Sequence, residues 1–267
     1  MKGLRACVFY LCDGYLDSNY MIGGHRMLTH SRPDTKLEFY PSPSYCVLIQ
    51  HPEAGNILFD LSCRLDSNDT WPENIVDSYQ LKFRPAGGLE EQLKSVGLKP
   101  EDIDYVVVSH MHLDHVGNIG LFANTAEFFI GYEEIKFAAA CVLESQDVKS
   151  RGWYVKEDVL APVKKYHYID RDTEIFPGIT LLTLPGHTPG SIGLMAELES
   201  GTVIMTSDAM YNKLSLEGQL PGICRDPLTM KESFWKIKTL AKKHNADIWF
   251  GHDPEQIHSM RLAPEFY

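Results

Sequence analysis

The six residues His110-Met111-His112-Leu113-Asp114-His115 decide how this chain reads. They follow a β-branched apolar run over residues 105–109, which has the look of a strand buried on both faces. Three imidazoles and a carboxylate at the exit of a strand can converge on a small volume. Those ligand types suit a borderline divalent ion such as zinc. In a chain with 11 His among 267 residues, such a cluster arises by chance with odds on the order of one in a thousand. A solvated polar turn is the alternative, but these side chains have no folding reason to sit together.

Three further candidates stand at the ends of apolar runs downstream. His187 lies in Leu184-Pro-Gly-His-Thr-Pro-Gly190, where Gly and Pro fix a turn after a strand over 180–184. Asp208 ends a strand over 202–207, and His252 follows a strand over 246–250. Each alone reads as an ordinary loop residue. Together they place every ligand-type group at a strand end, where separate segments can meet on one rim of a sheet. Further strands are expected over 6–11, 45–50 and 56–61, an opening antiparallel set, and over 127–130 and 192–198. Helices are expected over 89–96, 132–142 and 230–244. The last carries Phe234, Ile237 and Ala241 on one face and Lys231, Lys238 and Lys242 on the other. Strands and helices interleave in both halves, so the class is α/β, with two stacked sheets covered by helices. Residues 13–43 and 62–88 read instead as long irregular loops rich in aromatics, among them Tyr15, Tyr20, Trp71 and Tyr79.

Composition excludes several partners. Lys plus Arg number 25 against 36 Asp plus Glu, a formal net charge of −11. That balance disfavours nucleic acid, whose affinity comes from basic patches, and an anionic membrane surface. A small molecule is the expected partner. No run approaches the length of a membrane span, and the N-terminus reads as a strand rather than a signal peptide. The six cysteines form no CxxC pair and fit as small buried hydrophobes in a reducing compartment, so a cytoplasmic location is expected.

The ordered set His110-x-His112-x-Asp114-His115, then His187, Asp208 and His252, resembles the metallo-β-lactamase superfamily across nearly the whole chain. Asp60, in Ile57-Leu58-Phe59-Asp60, looks like the early Asp of that family. The resemblance implies a single hydrolase domain over residues 1–267, built as an αβ/βα four-layer sandwich around a dinuclear metal site. His110, His112 and His187 would hold one ion, and Asp114, His115 and His252 the other. Asp208 would bridge both together with a water or hydroxide. The cofactors implied are two divalent cations, zinc first, with iron, manganese or cobalt as alternatives. Paired cations lower the pKa of a shared water enough to give hydroxide near neutral pH. Aspartate at 208, where several true β-lactamases have Cys, demotes antibiotic hydrolysis. One departure stands out: the family segment after the early Asp usually reads Thr-Gly, and here it reads Leu61-Ser62.

Asp208-Ala209-Met210-Tyr211, with Gly251-His-Asp-Pro-Glu-Gln256 and Arg261-x-x-Pro264-Glu-Phe-Tyr267, is similar to the quorum-quenching N-acyl homoserine lactonases. This match covers residues 45–65 and 100–267 well and the N-terminal loops poorly. It implies opening of a lactone ring by the metal-bridging hydroxide, with Tyr211 donating to the carbonyl and Asp114 passing a proton to the leaving alkoxide. No organic cofactor is needed. The alternative is a lactonase or esterase for another small ring or a thioester, as in pyridoxolactone or glyoxalase-II chemistry. A di-iron redox protein would need a flavin domain for which 267 residues leave no room. The assembly, monomer or homodimer, is left open. His25, His30, His51, His167, His244 and His258 read as ordinary polar residues.

Overall fold

Twelve strands are assigned among residues 2–144 and 152–267, which the computed structural model describes. They are β1 (Arg5–Asp17), β2 (Phe39–His51), β3 (Gly55–Phe59), β4 (Gln80–Phe83), β5 (Tyr105–Val108) and β6 (Glu127–Gly131). Then follow β7 (Tyr166–Ile169), β8 (Thr173–Phe176), β9 (Ile179–Thr183), β10 (Ile192–Leu198), β11 (Gly201–Met205) and β12 (Asp247–Trp249). One sheet has the order β4-β1-β2-β3-β5-β6-β7, and the other β12-β11-β10-β9-β8. As expected, β1, β2 and β3 pair antiparallel, whereas β3, β5, β6 and β7 run parallel.

Alternate side chains of one strand serve two cores, which is why these strands read as unbroken apolar runs. In β1, Ala6, Val8 and Tyr10 point between the sheets, where they meet Ile179, Leu181, Leu194 and Met205 of the second sheet. Cys7, Phe9 and Leu11 face the other way, onto Leu89 and Leu93 of the helix Leu89–Ser95 and Ala138 and Val142 of the helix Tyr132–Glu144. On the far side, Leu182, Leu184 and Ile204 pack on Met230, Phe234 and Ile237 of the helix Pro227–His244. Helix, sheet, sheet and helix therefore form four layers, the sandwich the sequence pointed to. The helix Pro227–His244 is well bounded. Asp226 accepts from Leu228 N and Thr229 N, Pro227 opens the first turn, and Asn245 ends it in a left-handed conformation at φ 49°.

Two expectations are corrected. Residues 13–17 and 39–43 are not loop: they extend the β1–β2 pair, with Asp13 opposite Pro43 and Asp17 opposite Phe39 past an irregularity between Tyr10 and Cys12. Residues 62–88 contain the helices Ser67–Thr70 and Glu73–Ser78 and the edge strand β4, which pairs with Cys12–Tyr15 of β1. Gly14, Pro41 and Pro43 hid these strands, because Gly and Pro weaken a strand signal. β7 and β8 were also unread, each a four-residue strand at a sheet edge. No helix among the described residues is long and apolar enough to cross a membrane. Cys7, Cys12, Cys46 and Cys63 are buried, and all six cysteines are free.

Candidate metal centre

Four strand ends supply the site. β5 delivers His110, and the helical turn Leu113–Val116, closed by His115 N and Val116 N donating to His112 O, turns Asp114 and His115 inward. The loop after β9 carries His187 and is pressed against two neighbours: a Cβ on Gly186 would lie 2.4 Å from Met230 Cα, and one on Gly190 2.0 Å from Glu134 N. Asp208 sits in the turn Ser207–Ala209 after β11. His252 follows β12, its backbone N–H donating to Tyr211 O at 2.8 Å. All seven expected residues meet in one place. His110, His112 and His187 form one cluster of ligand-type atoms; His110, His115 and Asp208 a second; Asp114, His115 and His252 a third, each within 4.8 Å.

Asp208 lies between the groups and divides its oxygens. Oδ2 faces His187 Nε2 at 3.3 Å and His110 Nε2 at 3.9 Å, whereas Oδ1 faces His252 Nε2 at 2.9 Å and His115 Nε2 at 3.1 Å. The far nitrogens are already committed. His115 Nδ1 donates to Asp60 Oδ2 at 2.8 Å, His252 Nδ1 to Pro43 O at 2.9 Å, and His187 Nδ1 to Ile223 O at 3.2 Å. A carboxylate or carbonyl can only accept, so each of these protons sits on Nδ1, and in the neutral ring each Nε2 offers a lone pair to the centre. His110 follows the same logic: the Ser109 hydroxyl is spent on Asp60 Oδ2 at 2.8 Å and so accepts from His110 Nδ1. His112 Nδ1 lies 3.1 Å from His110 Nε2 and 3.0 Å from His187 Nε2, and one proton on it can serve only one of the two at full strength. The buried atoms His115 Nε2 and Asp208 Oδ1 make no hydrogen bond. Acceptors crowded this way require positive charge between them, and this donor set fits divalent cations.

Protons supply part of that charge when no cation does. Burial opposes ionisation of Asp208, but the surrounding imidazoles of His252, His115 and His187 hold it well below the usual carboxylate range. Burial likewise opposes charge on His115 and His252, yet Asp208 and Asp114 pull both upward. His110 and His112 go the other way, driven down by burial and by neighbouring imidazoles.

Beneath the centre, Asp60 is the hub that orients it. Oδ1 accepts from Ser109 N at 2.7 Å, and Oδ2 from Ser109, Ser207 and His115. Asp60, Ser62 and Ser207 adopt left-handed conformations, at φ 57°, 53° and 45°. Such strain in residues other than Gly persists where surrounding bonds over-determine it. Here Asn118 Nδ2 donates to Leu61 O and Cys63 O, and Leu61 N donates to His115 O. The residue that replaces the expected Gly, Ser62, thus keeps the Gly-like conformation, and its hydroxyl bonds Ser44 at 2.7 Å. The turn beneath the ligands is preserved.

Above the centre a narrow cleft with a free volume of only about 20 Å³ lies between Leu16, Met21, Trp153 and Ile223, with Asp114, Asp208, Tyr211 and His252 at its base. The Tyr211 ring lies 5.1 Å from the His252 ring and 5.7 Å from that of His187. Burial, then Asp208 and Asp114, push its proton affinity well up, so it stays a donor. Sequence reasoning missed two neighbours. Glu134, fully buried, accepts from Met111 N at 2.9 Å and from Tyr154 OH at 3.2 Å, behind His112. Tyr79 reaches Asp114. Neither carries a local signal, because each arrives from a distant segment.

Residues 39–252 match the family model of the metallo-β-lactamase superfamily. The chain is 34% identical over 255 residues to the N-acyl homoserine lactonase AiiA of Bacillus thuringiensis subsp. kurstaki, covering 92% of this chain and 97% of that protein. This chain belongs to the N-acyl homoserine lactonase family of that superfamily. It is also 32% identical over 240 residues to the lactonase AttM of Agrobacterium fabrum, over 85% of this chain and 88% of AttM. Among solved structures, an N-acyl homoserine lactone hydrolase with N-hexanoyl-L-homoserine bound at its catalytic metal centre superposes with a TM-score of 0.83 at 29% identity, over 100% of both chains. As a member of this lactonase family, the chain is a metal-dependent hydrolase.

Proposed function

We propose that this protein opens the ester ring of N-acyl homoserine lactones at a dinuclear metal centre, one ion held by His110, His112 and His187 and the other by Asp114, His115 and His252, with Asp208 shared. The observation that carries the reading is the division of Asp208: one oxygen toward each imidazole group, with Tyr211 beside it. Zinc is the preferred metal on donor chemistry, imidazole and carboxylate without thiolate. Two such ions, when bound, supply a hydroxide near neutral pH and polarise the ester carbonyl.

The chain's own residues do the rest. Tyr211 donates from its hydroxyl to the carbonyl oxygen, a bond that strengthens as negative charge develops there. Asp114 takes the proton given up by the attacking water and passes it to the ring oxygen as the water's oxygen bonds the carbonyl carbon and the ring C–O bond breaks, so one water is added and an N-acyl homoserine leaves. Leu16, Met21, Trp153 and Ile223 give this narrow cleft an apolar lining that keeps bulk water from the reacting ester. We read residues 1–267 as one catalytic unit working in the cytoplasm. A panel of homoserine lactones, other lactones and thioesters, followed by acid release with and without zinc, tests the substrate class. Preference for acyl homoserine lactones supports it, and turnover confined to thioesters overturns it.

A further inference from the structure

Tyr79 is a buried group at this centre that neither the ligand set nor the chemistry above uses. It follows the helix Glu73–Ser78 and precedes β4, whose pairing with Cys12–Tyr15 of β1 carries the phenol ring across Gly14. A Cβ on Gly14 would lie 1.8 Å from Tyr79 Cε2, so only glycine leaves room for the ring. Trp71 stacks on it at 6.2 Å with planes 11° apart, and Trp153 meets it edge-on at 5.9 Å. Held on three sides, the ring sets its hydroxyl 3.0 Å from Asp114 Oδ2 and 3.5 Å from Ser42 Oγ. A carboxylate offers no proton, so the phenol donates. The other carboxylate oxygen, Oδ1, is turned toward His115 Nε2 at 3.7 Å, and Oδ2 itself lies 3.9 Å from His252 Nε2.

We propose that Tyr79 is a positioning residue for Asp114: its hydroxyl anchors Oδ2 and so holds the carboxylate facing the ion shared with His115 and His252. The inference rests on the dinuclear reading above. Every imidazole except His112 has its orientation fixed by a bond from its far nitrogen; Asp114, on a four-residue helical turn at the cleft floor, has none from its own segment. Tyr79 gives it the equivalent constraint from the turn just before an edge strand. Fixing a ligand beforehand removes rotamer freedom that ion binding would otherwise have to remove.

Tyr79→Phe keeps the ring, its stack on Trp71 and its seat on Gly14, and deletes only the hydroxyl. Metal-stripped wild-type protein and the variant are titrated with zinc against a chromophoric chelator, without any lactone. One of two equivalents should bind about 10- to 100-fold more weakly in the variant and the other as in wild type. At limiting zinc the variant should also lose kcat with little change in KM, and excess zinc should restore it. Wild-type affinity for both equivalents, or equal weakening of both, overturns the assignment. Wild-type protein that takes up fewer than two zinc ions overturns the dinuclear reading instead.

Discussion

At the scale of single residues, function here depends on where protons are kept. Tyr211 stays protonated through burial and carboxylate neighbours and faces the cleft as a donor. Tyr211→Phe should cut kcat for an acyl homoserine lactone by about one to two orders of magnitude, the cost of one oxyanion donor. An unchanged rate in steady-state assays would remove it from the mechanism. Asp158, away from the centre, feels the same pressure: burial pushes it up to about 7 despite Arg64 at 2.9 Å. The folded chain then holds a proton there that the unfolded chain releases near pH 4. Its contribution to stability is present below about pH 4 and is lost as pH rises toward 7. Asp158→Asn should flatten that part of the pH dependence. Urea midpoints across the window check this, and an identical slope in the variant contradicts it.

At the scale of elements, strand ends hold the ligands while close backbone contacts hold the strand ends. The His187 loop lies so near the helix Tyr132–Glu144 that Gly190→Ala must displace backbone, since its Cβ would sit 2.0 Å from Glu134 N. A cost of about 1–3 kcal/mol is expected, with weaker zinc binding, measured by urea unfolding and metal competition. What could be read in the sequence follows from the same geometry. β5, β6, β10 and β11 were legible because central strands read as apolar runs. β4, β7 and β8 were not, because short edge strands mix polar and apolar residues. The cluster His110–His115 was legible because its spacing is local, whereas Tyr79 was not, because β4 brings it to Asp114 from 35 residues away. Ser62 shows a limit of motif reading: a Gly was expected, yet bonds from Asn118 and Ser44 hold the same backbone turn.

At the scale of the whole molecule, two sheets meet with their loops on one rim, and the rim gathers five imidazoles and two carboxylates in one cluster. Metal binding and stability should therefore be linked. Stripping the ions with chelator should lower the thermal midpoint, and added zinc should restore it; at a thousand times Kd, one site contributes about 4 kcal/mol. An unchanged midpoint in a calorimetric scan would mean the fold does not need the ions. The central claim is tested most directly by following N-hexanoyl homoserine lactone with metal-free protein and measured additions of zinc, identifying the product by mass. The account predicts no turnover without metal, activity that saturates at two zinc ions per chain, and a single product that has gained one water. Equal turnover by the metal-free protein, or an intact lactone with two ions bound, would contradict it.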